Sequence, residues 1–295
     1  MSERLVTVFG GTGFIGRAAV RALAGADWRV RVAARHPGPV DDLDVESRTA
    51  DIRDDAQVAT ALEGAAAVVN AVSLYAESGG LTFRDIHVDG AARVARLARE
   101  AGAERLVHVS GIGVDEHSSS NYLAARARGE QAVRAAYPEA VILRPSVLFG
   151  PGDAFLAAVD RVTCSPVVPL FGEGATRLQP VYVEDVALAI GRALKLDDVL
   201  GRIYELGGPE VLSYREIVER VMAHRGRHRL IVPMPFAAWR LLADAASLLP
   251  GPPLTRDQVA LLEEDNVVGE GAASCKDLGI EPRGLDSLLD ACLPA

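Results

Sequence analysis

Along the first half of the chain, short apolar runs alternate with stretches whose apolar positions recur every three or four residues. The runs at 5–9, 29–34, 66–72, 106–110 and 140–143 predict strands. The run at 66–72 has no polar break before Asn70, as in a strand buried on both faces. Between them, 14–24, 82–102 and 122–136 predict helices. In the second of these, Val88, Ala91, Val94 and Ala95 fall at helical spacing. Repeated strand–helix units of this kind build a parallel sheet with helices on both faces.

After Gly150 the texture changes. Pro and Gly thicken between 166 and 180, and 166–178 reads as a loop able to act as a lid. Shorter elements follow: a helix over 184–194, a strand over 203–206 and a helix over 214–224. The expected organisation is a dinucleotide-type domain over 1–150, and a smaller C-terminal α/β lobe over 151–295 interleaved with the sheet edge. Such a lobe would cover the carboxyl ends of the strands, where open α/β sheets bind ligands. No internal repeat or low-complexity tract interrupts the pattern.

Composition narrows the partners. Of 295 residues 49% are hydrophobic and 24% charged, enough for a sizeable core. Aromatics are only 5%, so that core is mostly Val, Leu, Ala and Ile. A net charge of −9 argues against nucleic acid, whose phosphates require clustered Lys and Arg. Cys164, Cys275 and Cys292 are far apart and odd in number, so neither a metal site nor a disulfide framework is expected. No charged-then-apolar leader precedes the strand at Leu5, and no apolar run reaches the ~20 residues of a membrane span. A cytoplasmic protein is the expectation.

The most specific motif is Gly10-Gly11-Thr12-Gly13-Phe14-Ile15-Gly16, directly after a strand and directly opening a helix. Its glycines suit a tight turn, close approach to a pyrophosphate and close helix–strand packing. The helix N-terminus adds free N–H groups and a positive dipole end. This context predicts a Rossmann-type doubly wound parallel sheet that binds a dinucleotide. The second strand ends Ala33-Ala34-Arg35-His36, without the carboxylate that usually holds the ribose of NAD. Arg35 offers a charged fork to a 2′-phosphate instead, with Arg17 able to add to it, so NADP(H) is expected ahead of NAD(H). Asp51 and Ile52, after the next short strand, would sit near the adenine.

Three segments resemble the atypical and extended short-chain dehydrogenases/reductases, the NAD-dependent epimerase/dehydratase superfamily: the glycine loop, Tyr122-x-x-x-Arg126-x-x-Gly129-Glu130, and 143–151 (LRPSVLFGP). Downstream, 179–187 (QPVYVEDVA), 204–210 (YELGGPE), 254–259 (LTRDQV) and 265–268 (DNVV) resemble one branch. That branch holds the nucleotide-binding accessory subunit of respiratory complex I and its bacterial relatives. The resemblance covers nearly the whole chain and implies tightly held NADP(H), often without turnover. It assigns cofactor contacts to the glycine loop, Arg35, Asp51, Ile52, Ala71, Val72, Tyr122, Arg126 and Pro145, the last three near the ribose and nicotinamide.

A working reductase of this kind pairs a proton-donating tyrosine with a lysine four residues on and a carbonyl-polarising serine or threonine. Tyr122 and position 126 lie one helical turn apart on one face. Position 126 is Arg, which keeps the charge but cannot give up a proton near neutral pH. Ser110 ends the fifth strand, but the second hydroxyl position of the pattern is Gly111. Ser118, Ser119 and Ser120 read as a helix cap, and His87 as a partly buried helix histidine. The candidate catalytic set is therefore Tyr122, Arg126 and Ser110, with Tyr122 equally readable as a cofactor ligand. A regulatory sensor of the NADP/NADPH ratio shares the same fold, but two functions lead. One is a cofactor-holding accessory or assembly factor of a respiratory NADH:quinone oxidoreductase, peripheral to the inner membrane. The other is an active NADP-dependent oxidoreductase or epimerase on a carbonyl or sugar-like substrate. Segment 235–249 sets Phe236, Trp239, Leu242, Ala246 and Leu249 at helical spacing with few charges; it is either a docking surface for a complex or lipid surface, or a core helix of the lobe.

Overall fold

The computed structural model describes residues 4–26, 28–38, 40, 43–246 and 254–294. In chain order the sheet layer runs β1 (Arg4–Phe9), α1 (Phe14–Ala24), β2 (Trp28–Ala34), β3 (Glu46–Thr49), α2 (Asp55–Leu62) and β4 (Ala67–Asn70). A π-helical turn (Arg84–Gly90) then leads into α3 (Ala91–Glu100), β5 (Arg105–Val109), α4 (Asn121–Ala136) and β6 (Val141–Pro145). Beyond it come β7 (Leu148–Phe149), α5 (Ala154–Val162), β8 (Val167–Phe171), β9 (Arg177–Leu178), β10 (Val181–Tyr182), α6 (Val183–Ala193) and β11 (Ile203–Leu206). The chain ends with β12 (Leu212–Ser213), α7 (Tyr214–His224), β13 (Leu230–Met234), α8 (Phe236–Ala246), α9 (Arg256–Leu261) and α10 (Leu289–Cys292).

Among the described residues, seven parallel strands form one sheet in the order β11-β6-β5-β4-β1-β2-β3. This is the doubly wound α/β architecture expected from the sequence, with the order reversing between β1 and β4. The central strands are buried on both faces, and the two-residue period sorts their side chains. Val6, Val8, Val30, Val32, Val107 and Leu143 pack with Ala19, Val20 and Leu23 of α1 and Val186, Ala189 and Ile190 of α6. Phe9, Val68, Leu106 and Ile142 face the other way, onto Val58, Val94, Ala95 and Ala98. Small residues on α1 and α6 let these helices lie close together, and the aliphatic cores account for the low aromatic content.

Several elements differ from expectation. The helix expected over 82–102 is a π-helical turn running into a shorter α-helix. Where the turn crosses α4, the helices touch backbone to backbone: a Cβ at Gly129 would stand 1.9 Å from the His87 carbonyl oxygen. A single π turn is too short for its wider i→i+5 period to show in the sequence, and nothing local marks the crossing. Stretch 166–178 is not all loop. It contains β8, paired in parallel with β13, and β9, paired with β12. Pairing with strands some 35–65 residues away is a long-range choice that its Pro and Gly content conceals. The helix expected at 184–194 and the strand at 203–206 belong to the main sheet layer, as α6 and β11, so the chain returns to the sheet after residue 150.

Ion pairs tie these parts together at the sheet edge. Arg144 of β6 grips Glu130 of α4 with Nε and Nη2, at 2.9 and 2.7 Å, and reaches Glu205 of β11 at 3.4 Å. Arg283 clasps the buried Asp185 of α6 through both its backbone N–H and its guanidinium.

The backbone contact at Gly129 predicts that Gly129→Ala destabilises the fold by roughly 1–3 kcal/mol or more, because overpacking there outweighs the better helix propensity of Ala. Gly191→Ala, on α6 with nothing within 4 Å of the added Cβ, should instead be neutral or stabilising by up to ~1 kcal/mol. Thermal unfolding of the two variants side by side checks both signs.

Candidate functional site

A cavity of about 1020 Å³ opens at the carboxyl ends of the strands, where the strand order reverses. It begins at the glycine loop. Gly10 has φ +75°, and its N–H donates to the Ala33 carbonyl at 2.9 Å, turning the chain sharply out of β1. Its missing side chain lets the loop lie against Ala71, whose carbonyl oxygen would be 2.9 Å from a Cβ. Gly13 is the N-cap of α1, with no side chain capping the helix and no carboxylate in its first turn. The first-turn amides are therefore free to face an anion.

Most residues expected to contact a cofactor line this one cavity: Gly10, Thr12, Gly13, Phe14, Ile15, Arg35, Asp51, Ile52, Ala71, Val72, Tyr122, Arg126 and Pro145. Gly11 and Gly16 do not. A Cβ on Gly11 would meet Val32 at 2.9 Å, and one on Gly16 the Gly10 carbonyl oxygen at 2.0 Å, so both sit at packing contacts behind the loop. Arg17 does not line the cavity either; its Nε donates to the Thr12 carbonyl at 3.0 Å. Arg35 stands exposed at the rim. Asp51 is engaged by Arg53, through the backbone N–H at 3.0 Å and a guanidinium nitrogen at 2.6 Å. Those hydrogen bonds hold its carboxyl below the usual range, with Arg35 adding a weaker attraction.

At the other end of the cavity lie the candidate catalytic residues. Arg126 Nη1 donates to the Tyr122 hydroxyl at 2.6 Å and to Ser73 Oγ at 3.1 Å, and Nη2 donates to the Val109 carbonyl at 3.2 Å. Among the described residues no carboxylate pairs with this buried guanidinium, and its Nε has no partner. A buried cation compensated only by neutral oxygens is costly unless the cavity supplies a further acceptor. Ser110 also lines the cavity, yet its Oγ is buried with no hydrogen-bond partner. At Gly111 an added Cβ would lie 3.8 Å from both Arg126 Nε and the Pro145 carbonyl oxygen. A side chain fits there, so the missing hydroxyl is not imposed by space.

An aromatic cluster that the sequence did not reveal encloses Tyr122. Tyr75 stacks on it at 5.8 Å, while Phe83 and His87 meet it edge-on at 5.6 and 5.4 Å. Tyr75 and Ser73 come from the segment after β4, which carries no motif. Asn266, noticed only within a longer motif, accepts from the Ser146 hydroxyl at 2.7 Å and the Val147 N–H at 3.0 Å, and so braces the cavity wall. Of the three serines, Ser120 caps α4 by accepting from the Leu123 N–H and donates to Asp257 of α9.

Segment 235–249 is part core and part surface. The Trp239 indole stacks on Phe171 at 4.2 Å and donates to the Leu170 carbonyl at 2.9 Å, and Ala243 is buried. Leu242, expected on the same face as Trp239, points outward instead and is 51% exposed beside Leu241 at 70%. Leu249 lies outside the described residues. Among the described residues no cluster of His, Cys, Asp or Glu could hold a metal ion, and no helix is long and apolar enough to cross a membrane.

Residues 6–207 match the NAD dependent epimerase/dehydratase family. The chain belongs to this family. The resemblance noted to the complex I accessory subunit extends over its length. It is 34% identical to the mitochondrial NADH dehydrogenase (ubiquinone) 1 alpha subcomplex subunit 9 of Arabidopsis thaliana, across 97% of this chain and 76% of the relative. It is also 38% identical to a ceramide reductase of Caulobacter vibrioides, across 62% of this chain and 58% of the relative. In fold it matches the UDP-glucose 4-epimerase of Thermus thermophilus, solved in complex with NAD, at a TM-score of 0.71 and 22% identity, covering 98% of this chain and 97% of that one.

Two histidines behind the site are held neutral. Burial, with the Arg126 charge adding to it, lowers both His87 and His108 to about 3. In the unfolded chain a histidine takes up its proton near 6.5. Above that pH neither state binds the proton and stability is unaffected. Below it only the unfolded state does, so stability falls by about 1.4 kcal/mol per pH unit for each histidine until the folded values are reached. The melting temperature should therefore drop between pH 6.5 and 5. His87→Gln, which keeps a polar group facing the Leu74 backbone, should make that drop shallower; an unchanged slope would place the acid sensitivity elsewhere.

Proposed function

We propose that this chain binds NADP(H) along the cavity from the glycine loop to Tyr122. We further propose that it serves as a cofactor-holding accessory or assembly protein of a respiratory NADH:quinone oxidoreductase. The observation that carries the binding reading is the uncapped, acid-free N-terminus of α1 opening on a cavity whose rim holds Arg35. In this reading the pyrophosphate lies against the α1 amides and Arg35 takes the 2′-phosphate. Asp51 and Ile52 flank the adenine, and Tyr122, Arg126 and Pro145 flank the ribose and nicotinamide. Arg126 gains an acceptor for its unpartnered Nε. Residues 1–150 act as the dinucleotide domain and 151–295 as the partner lobe, with Leu241 and Leu242 of α8 turned toward a complex or membrane surface at the cytoplasmic side. The named complex I subunits, similar over nearly the whole chain, support the accessory role.

A second reading, reduction of a carbonyl with Tyr122 as proton donor, is favoured by one observation: the cavity continues past Tyr122 into the C-terminal lobe. There Tyr122 would give the proton, Arg126 would hold the hydroxyl in place, and the dinucleotide would supply the hydride when bound.

Calorimetric titration of the nucleotide-stripped protein with NADPH and NADH tests the first reading. Losing a charge-assisted contact costs ~1.5–3 kcal/mol, so NADPH should bind roughly ten- to a hundredfold more tightly, and Arg35→Ala should erase the difference. Equal affinities in the unmodified protein would overturn the NADP preference, and no binding of either would overturn the whole reading. For the second reading, NADPH oxidation with a ketone or quinone should be abolished in Tyr122→Phe. Copurification with respiratory-complex subunits should be indifferent to that change.

A further inference from the structure

We propose that the part of the cavity built by residues after 150 is a binding chamber for one uncharged, chain-like lipid. The proposal takes from the preceding reading only that the dinucleotide fills the other half. Two helices and a strand end wall the chamber. From α5, Ala154, Phe155 and Ala158 turn one face inward; from α9, Leu261 and Leu262 face them; Phe171 closes the end of β8. Leu261 also packs on the cluster around Tyr122, so the chamber is continuous with the candidate catalytic end.

Charge decides the class of ligand. Among the described residues, those after 150 that line the cavity include no Lys, Arg or His. A nucleotide sugar brings a diphosphate, and a fatty acid a carboxylate; each needs a cation or a set of N–H donors to leave water. The one charged group here is Asp153, whose carboxylate accepts from the Leu156 and Gly150 N–H groups and would repel an anion. The aliphatic and aromatic walls favour hydrocarbon, at roughly fourfold in affinity for each fully buried methylene.

The neutral polar side chains here are Tyr214, Gln258 and Asn266; the Gln258 carbonyl is taken up by the Thr255 N–H, and the Asn266 amide by Ser146, Val147 and Ile112. Tyr214 lines the chamber, is 6% exposed, and its hydroxyl has no hydrogen-bond partner among the described residues. The hydroxyl is not sealed off, so it is open to the cavity, where the hydroxyl, carbonyl or amide of a neutral lipid would take the place of water on it.

The chain carries its own reporter. Of the two tryptophans, Trp239 stacks on the chamber residue Phe171, whereas Trp28 lies on β2 in the sheet core. The experiment titrates the full chain with octanol, decanol, dodecanol and UDP-glucose, following tryptophan emission, and measures NADPH binding separately by calorimetry. The expected result is a saturable change with the alcohols, tightening with chain length and absent with UDP-glucose. That change should be lost in Trp239→Phe. Ala158→Phe, at an accessible small residue, should weaken dodecanol at least ~10-fold while leaving NADPH affinity unchanged. Tyr214→Phe should weaken dodecanol but not a plain alkane such as dodecane. A saturable response to UDP-glucose, no dependence on chain length, or an unaltered response in Ala158→Phe would overturn the proposal. Failure of NADPH to bind, with the alcohol series intact, would support the chamber and count against the dinucleotide reading alone.

Discussion

The first turn of α1 presses on the turn leaving β1 so closely that a Cβ at Gly16 would lie 2.0 Å from the Gly10 carbonyl oxygen. That contact fixes where the helix begins, and much else depends on it. With α1 held down, its small-residue face reaches both the sheet and α6, forming one of the two aliphatic cores. Its uncapped end points over the site where the strand order reverses. Gly10, at positive φ and against Ala71, supplies the tight exit from β1 that makes the approach possible. An ordinary side chain at either position would push the helix away and open the cavity where its amides are aimed.

A second backbone contact, Gly129 against His87, does for α4 what Gly16 does for α1. It seats α4 on the π-helical turn and brings Tyr122 within ring contact of Phe83, Tyr75 and His87. Arg144 holds Glu130, the next residue of α4, so the helix is anchored from the sheet as well. Arg126 is left as a buried guanidinium facing neutral oxygens. Its charge is uncompensated by any carboxylate among the described residues, and it contributes to keeping His87 and His108 unprotonated. Electrostatics and packing at this end of the cavity are thus one problem, since the close helix crossing is what removes water from the charge.

Residues after 150 contribute a different chemistry to the same cavity. They line it mostly with apolar side chains from α5, α9 and the end of β8, with Asp153, Tyr214, Gln258 and Asn266 among them. Asp257 of α9 accepts from Ser120 and from the Asn121 N–H, joining the lobe to α4 beside Tyr122.

The sequence alone determined the doubly wound α/β class and the glycine loop, because both rest on local rules: short continuous apolar runs alternating with helical spacing, and a short glycine pattern between strand and helix. It also brought forward Tyr122 and Arg126, which lie four residues apart on one helix and need no tertiary knowledge to be paired. Other features had no local signature. The π-helical turn at 84–90 is too short for its i→i+5 period to stand out from the helix that follows, and β8 pairs with a strand more than sixty residues downstream. Tyr75 and Ser73 reach Tyr122 and Arg126 only because the segment leaving β4 lies beside the first turns of α4. Spacing alone left segment 235–249 readable as core or surface; in the fold Trp239 packs on Phe171 while Leu242 is exposed. The tertiary structure decided which of the expected residues line the cavity, and that Gly11 and Gly16 pack behind it. Only the assembled fold sets the distances between elements, and those distances determine which side chains meet.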